Sequence, residues 1–163
     1  MMITQTAKEL VRSRVGLPTV LLIDDDLGTL GALRRALRNE PYDLIFTDDP
    51  YQALDWIKSR EIHLIITDEF MPAMLGTELL EAVRQRSAGT GKVLLTGYPN
   101  PTVMYRGCQQ KVDRMLAKPW NDDELREAAR YILGARGHGI PEALLGNTLP
   151  DGDVPETPPD GAD

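Results

Sequence analysis

Five short apolar runs, each followed by a stretch of helical periodicity, constrain this chain more than any other feature of its sequence. Thr19–Ile23 (TVLLI) stops abruptly at Asp24-Asp25-Asp26. Tyr42–Thr47 (YDLIFT), Ile62–Thr67 (IHLIIT), Lys92–Thr96 (KVLLT) and Asp113–Ala117 (DRMLA) follow. Such runs are how strands buried in a parallel sheet read. Between the first two, Leu27–Asn39 sets Leu30, Leu33 and Leu37 at helical spacing, with Arg34, Arg35 and Arg38 mostly on the other side as a solvated face. Pro50–Arg60, Thr77–Ser87, a weaker Thr102–Gln110 and Asp122–Leu133 are the remaining helices. Pro50 suits a helix start, Asp122 an N-cap and Gly134 a C-cap. The alternation predicts an α/β fold: a doubly wound, five-stranded parallel sheet of order 2-1-3-4-5, flanked by five helices as a three-layer sandwich.

A chain of 163 residues fits one domain with a sizeable core. The expected organisation is an N-terminal extension over 1–17, a domain over 18–135 and an acidic Pro/Gly-rich tail or linker over 136–163. Thr4–Arg14 carries a weak helical pattern. The net charge of −7 is uneven. Ile140–Asp163 holds six acids and no Lys or Arg, leaving 18 bases against 19 acids elsewhere. No dense basic run offers a nucleic-acid footprint. No apolar run approaches the ~20 residues of a membrane span, and the N-terminus lacks the apolar core of a secretory signal. One cysteine cannot form an internal disulfide, and Cys108, His63 and His138 cannot make a zinc-finger set. A reducing cytoplasm is the expected compartment.

Ligands in an open parallel sheet sit beyond the carboxyl ends of the strands. There the sequence puts Asp24 and Asp25 after strand one, Asp68 after strand three, Thr96 at the end of strand four and Lys118 after strand five. With strands one and three adjacent, the three carboxylates share one pocket and need a cation. Hard oxygen ligands favour Mg²⁺, which keeps several waters and awaits a phosphate. Lys118 and Thr96 add a point charge and a hydroxyl for an incoming phosphoryl group, and an aspartate can accept it.

The strings VLLIDDD, LIITDEFMP, VLLTG and MLAKPW, in that order, resemble the receiver domain of two-component response regulators over about Pro18 to Gly134. The resemblance implies that Asp68 is the phosphoacceptor and that Asp24 and Asp25 are the acidic pair, Asp25 being the direct metal ligand. It implies the backbone carbonyl of Phe70 as a further ligand. Thr96 and Lys118 would contact the phosphoryl oxygens, and the Lys118-Pro119 bond would be cis, aiming the lysine inward. A histidine kinase or phosphotransfer protein would donate the phosphoryl group, and because the family often docks its kinase near the first helix, a docking role is the alternative reading of Arg34, Arg35 and Arg38. A downstream protein target, an effector domain not in this sequence, or a homodimer would carry the output. Such a protein is a switch and not an enzyme, beyond Mg²⁺-dependent self-phosphorylation and self-dephosphorylation. Trp120 resembles receivers attached to hydrogenase-type transcription activators and cyclic-dinucleotide phosphodiesterases.

Departures from the family pattern carry their own expectations. Met115 stands where many receivers have the aromatic switch residue, so switching is expected to be weakened; a scaffold with weak phospho-switching is the alternative reading. Phe70 and Tyr98, two positions beyond Asp68 and Thr96, are bulky and imply slow self-dephosphorylation. Leu75 replaces a common Asp or Asn and reads as peripheral. Asp26 reads as a cap or solvated residue, Glu69 as surface, His63 as a core or edge histidine and Cys108 as a small packing residue. Asp24-Asp25-Asp26-Leu27-Gly28-Thr29-Leu30 also resembles the opening motif of haloacid-dehalogenase-type phosphatases. Leu27 breaks that motif, Asp122-Asp123 open a helix instead of ending a strand, and Asp68 would have no role.

Overall fold

The computed structural model describes residues 16–139. The Thr4–Arg14 helix and the tail beyond 139 lie outside the described residues. Strands β1 (Thr19–Ile23), β2 (Asp43–Thr47), β3 (Leu64–Asp68), β4 (Gly91–Thr96) and β5 (Arg114–Ala117) alternate with helices α1 (Leu27–Leu37), α2 (Pro50–Ser59), α3 (Gly76–Arg86), α4 (Pro101–Gln109) and α5 (Asp122–Ala135). All strands pair parallel in the order β2-β1-β3-β4-β5.

Side-chain alternation along each strand divides the core in two. Val20, Leu22, Leu64, Ile66, Val93 and Leu95 pack under α1 and α5. Leu21, Ile23, Ile65 and Leu94 pack on the opposite face under α2, α3 and α4. β1 and β3 are buried on both faces, which explains why their sequences are unbroken apolar runs. Short polar side chains start the helices. Asp26 accepts from Gly28 N at 2.9 Å, Asp49 from Tyr51 N at 2.9 Å and Asn100 from Val103 N at 3.0 Å, each taking up a backbone N–H that the first turn leaves free.

Several boundaries differ from the sequence pattern. β3 extends through Asp68, because Asp68 still pairs with Leu95. Asn121, not Asp122, caps α5, accepting from Asp123 N and Glu124 N. Gly134 is helical; the chain turns out of α5 at Gly137, whose φ of 78° is the left-handed region that glycine tolerates. Leu75 is the N-cap position of α3, donates its N–H to the Glu78 carboxylate and bridges Phe70.

Candidate functional site

The register puts the ends of β1, β3, β4 and β5 side by side, and the polar residues converge there. Asp24 is 1% exposed. Its Oδ1 accepts the Asp26 N–H at 2.9 Å, which holds the carboxylate in one orientation. Its Oδ2 accepts from Lys118 Nζ at 2.7 Å. Lys118 Nζ also lies 3.1 Å from Asp68 Oδ1, so one ammonium bridges two acids from different strands. Asp25 is exposed at the rim. Carboxylate oxygens of Asp24, Asp25 and Asp68 all lie within 4.8 Å of one another, a hard-oxygen donor set that suits a divalent cation. The Lys118–Pro119 peptide bond is cis.

Burial pushes the Asp68 carboxyl above its ordinary pKa; Lys118 opposes this, and the charges of Asp24 and Asp25 add to it. Burial acts against the Lys118 ammonium, but its hydrogen bonds and charge contacts with Asp24 and Asp68 outweigh that and raise its pKa. The lysine stays charged at neutral pH because the acids around it need it.

Thr96 is fully buried, and its hydroxyl oxygen accepts from Tyr98 N at 3.1 Å. A cleft of about 530 Å³ opens over Asp68 and Lys118, walled by Phe70, Gly97, Tyr98 and Asn100. Phe70 is 45% and Tyr98 75% exposed, so both bulky side chains stand at the mouth. Met115 is half-buried against the α2–α4 side of the core. Its Cε lies where a Cβ on Gly107 would be, at 2.7 Å, so the missing side chain of α4 makes room for the thioether.

The structure corrects two readings near and away from this site. Glu69 is not a surface residue: it is fully buried, and its Oε1 accepts from both the N–H and the hydroxyl of Thr77 at 3.2 and 2.8 Å. The Glu69 carbonyl also accepts from Gly76 N. Gly76 approaches the Asp68 carbonyl so closely that a Cβ would collide with it. Glu69 and Gly76 thereby hold the β3–α3 loop, and with it Phe70, against the end of β3. No spacing signal in the sequence marks this pairing, since it depends on the loop folding back. Cys108 is exposed, not packed, because α4 turns that position outward. His63 sits half-buried just before the central strand β3, its Nδ1 accepting from Thr19 N at 2.9 Å. Asp122 and Asp123 lie on α5, engaged with Trp120 and Arg126, which gives the phosphatase alternative no late acidic pair in the pocket.

Residues 20–130 match the family model described as response regulator receiver domain. The chain is 28% identical to the hydrogenase transcriptional regulatory protein HoxA of Cupriavidus necator over 120 residues, 73% of this chain and 25% of that protein. It is 34% identical to the transcriptional regulatory protein CpxR of Escherichia coli over 114 residues, 70% of this chain and 48% of that one. It thus spans between a quarter and a half of the length of these curated relatives. The signal receiver domain of an HD domain-containing protein from Pseudomonas fluorescens Pf-5 matches with a TM-score of 0.71 at 35% identity, covering 74% of this chain and 98% of that one. With the sheet order, the strand-end acids and a family match across the whole sandwich in agreement, the chain belongs to the response regulator receiver domain family.

Proposed function

We propose that Asp68 accepts a phosphoryl group from a histidine kinase or phosphotransfer protein, and that the resulting aspartyl-phosphate switches the affinity of this domain for a protein target, an attached effector domain or a second copy of itself. The observation that carries the reading is the Lys118 ammonium bridging Asp24 and Asp68 at the floor of an open cleft. Asp24, Asp25, Asp68 and the Phe70 carbonyl would hold Mg²⁺. Bound there, the ion would offset the charge gathering on the phosphoryl oxygens. An Asp68 carboxylate oxygen forms the new P–O bond as the P–N bond to the donor imidazole breaks, its electron pair returning to nitrogen. Lys118 holds a phosphoryl oxygen by charge. The Thr96 hydroxyl, whose oxygen already accepts from Tyr98, keeps its proton to donate to another. Phe70 and Tyr98 at the mouth restrict the in-line water that would hydrolyse the acyl phosphate, so self-dephosphorylation is slow. The domain acts by binding and not by turning over a substrate, and a cytoplasmic kinase partner implies a cytoplasmic address. Among the described residues no helix is long and apolar enough to cross a membrane. The domain limits proposed remain 18–135, with 1–17 and 136–163 as flanking segments.

Intact-mass analysis after incubation with acetyl phosphate and Mg²⁺ tests the acceptor. One phosphoryl group should add to the parent and none to Asp68→Asn; persistent labelling of the variant would move the nucleophile elsewhere.

A further inference from the structure

Between α1 and the edge strand β2 runs a groove of about 420 Å³, lined by Gly31, Arg34, Arg35, Arg38, Tyr42 and Leu44. β2 is an edge strand, paired only with β1. Tyr42, Leu44 and Phe46 alternate toward the α1 side along it and form an apolar floor. The Arg34 guanidinium stacks on the Phe46 ring at 3.9 Å, and Arg35 folds back over the bare Gly31. These arginines differ from their neighbours in one respect. On α5 and just beyond it, Arg126 pairs with Asp123, Arg130 with Glu40 and Arg136 with Asp113. Among the described residues Arg34, Arg35 and Arg38 pair with no acid, and all three are exposed. Tyr42 is 7% exposed, yet its hydroxyl has no partner among the described residues. Burial, with the Glu40 charge adding, pushes that phenol up, so it remains a neutral hydrogen-bonding group. A groove with three unpaired guanidiniums over an aromatic floor is complementary to an acidic chain.

We propose that this groove is the seat of the chain's own segment 150–163, PDGDVPETPPDGAD. That segment has five acids, four prolines and no Lys or Arg. Its carboxylates match the guanidiniums in charge and in forked hydrogen-bond geometry. Its prolines favour an extended conformer that aromatic-lined grooves take up with little ordering cost. The reach is short. Gly139 shares a small cavity with Pro18, whose carbonyl accepts from Asp43 N at 3.0 Å, next to Tyr42 at the lower end of the groove. The ten intervening residues, 140–149, can span roughly 33 Å when extended. The seat lies on the α1–β2 side, away from the cleft over Asp68, and stands independently of the phosphoacceptor assignment.

A nitroxide on the full chain tests it, with Cys108→Ser removing the exposed native thiol and Thr157→Cys carrying the label. Amide signals of Gly31–Arg38 and Asp43–Phe46 should lose most of their intensity at low salt, while those of Pro101–Gln109 keep theirs. The loss should vanish in Arg34→Ser/Arg35→Ser/Arg38→Ser and at 0.5 M salt, where the screening length falls to roughly 4 Å. It should also vanish when the five acids of 150–163 become their amides. Full intensity over α1 and β2 in the labelled parent overturns the proposal, as does broadening that survives both sets of charge removal. Broadening reproduced by mixing labelled, isotope-free protein with unlabelled ¹⁵N protein would assign the contact to a second copy and overturn the intramolecular seat.

Discussion

The Lys118 ammonium donates to the Asp24 carboxylate at 2.7 Å, joining residues 94 positions apart in the chain. Asp24 is 1% exposed, so this pair decides how its charge is tolerated before any cation or phosphoryl group arrives. Replacing Lys118 by Met should remove phosphorylation and also lower the stability of the metal-free protein. The loss should be about 2 kcal/mol, below the 3–5 of a fully buried pair because the lysine is 23% exposed. The raised Lys118 pKa gives this contribution a pH window. It is fully present below the ordinary 10.5 and is lost as pH rises through the higher folded value. Urea unfolding of parent and variant should therefore differ at pH 7 and converge toward strongly alkaline pH.

Asp25 is exposed and takes part in no described ion pair, so Asp25→Ala should fold normally. It should nevertheless abolish Mg²⁺ binding. In the parent, Mg²⁺ at a hundred times its dissociation constant should add about 2.7 kcal/mol of stability. A Tm titration should show that gain in the parent and none in the variant; an equal gain in both would remove Asp25 from the metal site.

Glu69 and Thr77 make a sharper stability test. Glu69→Ala leaves the Thr77 N–H and hydroxyl buried without an acceptor and should cost about 2–3 kcal/mol. Glu69→Gln keeps the accepting oxygen and replaces Oε2, which has no partner, with an amide group. It should be within about 1 kcal/mol of the parent. Chemical denaturation separates the two variants, and equal losses would show that the carboxylate itself is required.

His63 sets an acid limit. Burial first, then the facing charge of His138, lowers its pKa, while Glu61 opposes this. Its Nδ1 accepts from Thr19 N, so protonation displaces that N–H at the start of β1. A depressed histidine pKa means the unfolded chain binds the proton first. The stability contribution is complete above about 6.5 and declines as pH falls from there through the folded value. His63→Phe should flatten that part of the stability–pH curve and cost about 1 kcal/mol at pH 7 through the unpaired Thr19 N–H.

Met115 should soften the switch. No aromatic ring is present there to swing from exposed to buried, and the thioether fits the gap beside Gly107 in either state. Partner or self-association affinity, measured with and without beryllofluoride, should change by less than about a hundredfold, or 2.7 kcal/mol of coupling. A larger change would show that Met115 transmits the signal as fully as an aromatic residue.

The sequence by itself determined the sandwich, the sheet order and the strand-end positions of Asp24, Asp25, Asp68, Thr96 and Lys118. The reason is local: apolar period, chain breaks after each strand and the side chain that follows the break are all written within a few residues. Tertiary structure alone decided what depends on distant groups. Only once β5 lies beside β4, two strands from β1, can Lys118 reach both Asp24 and Asp68. Glu69 reads as polar surface until the loop returns Thr77 to it, and then it is core. Cys108 reads as packing until the rotation of α4 turns it outward. Gly134 and Gly137 both read as helix-ending glycines, and the fold carries α5 through Gly134 to Ala135 and turns the chain at Gly137. The arginines of α1 follow the same rule: their helical spacing is legible in the chain, but their lack of partners is a property of which acids the fold brings near.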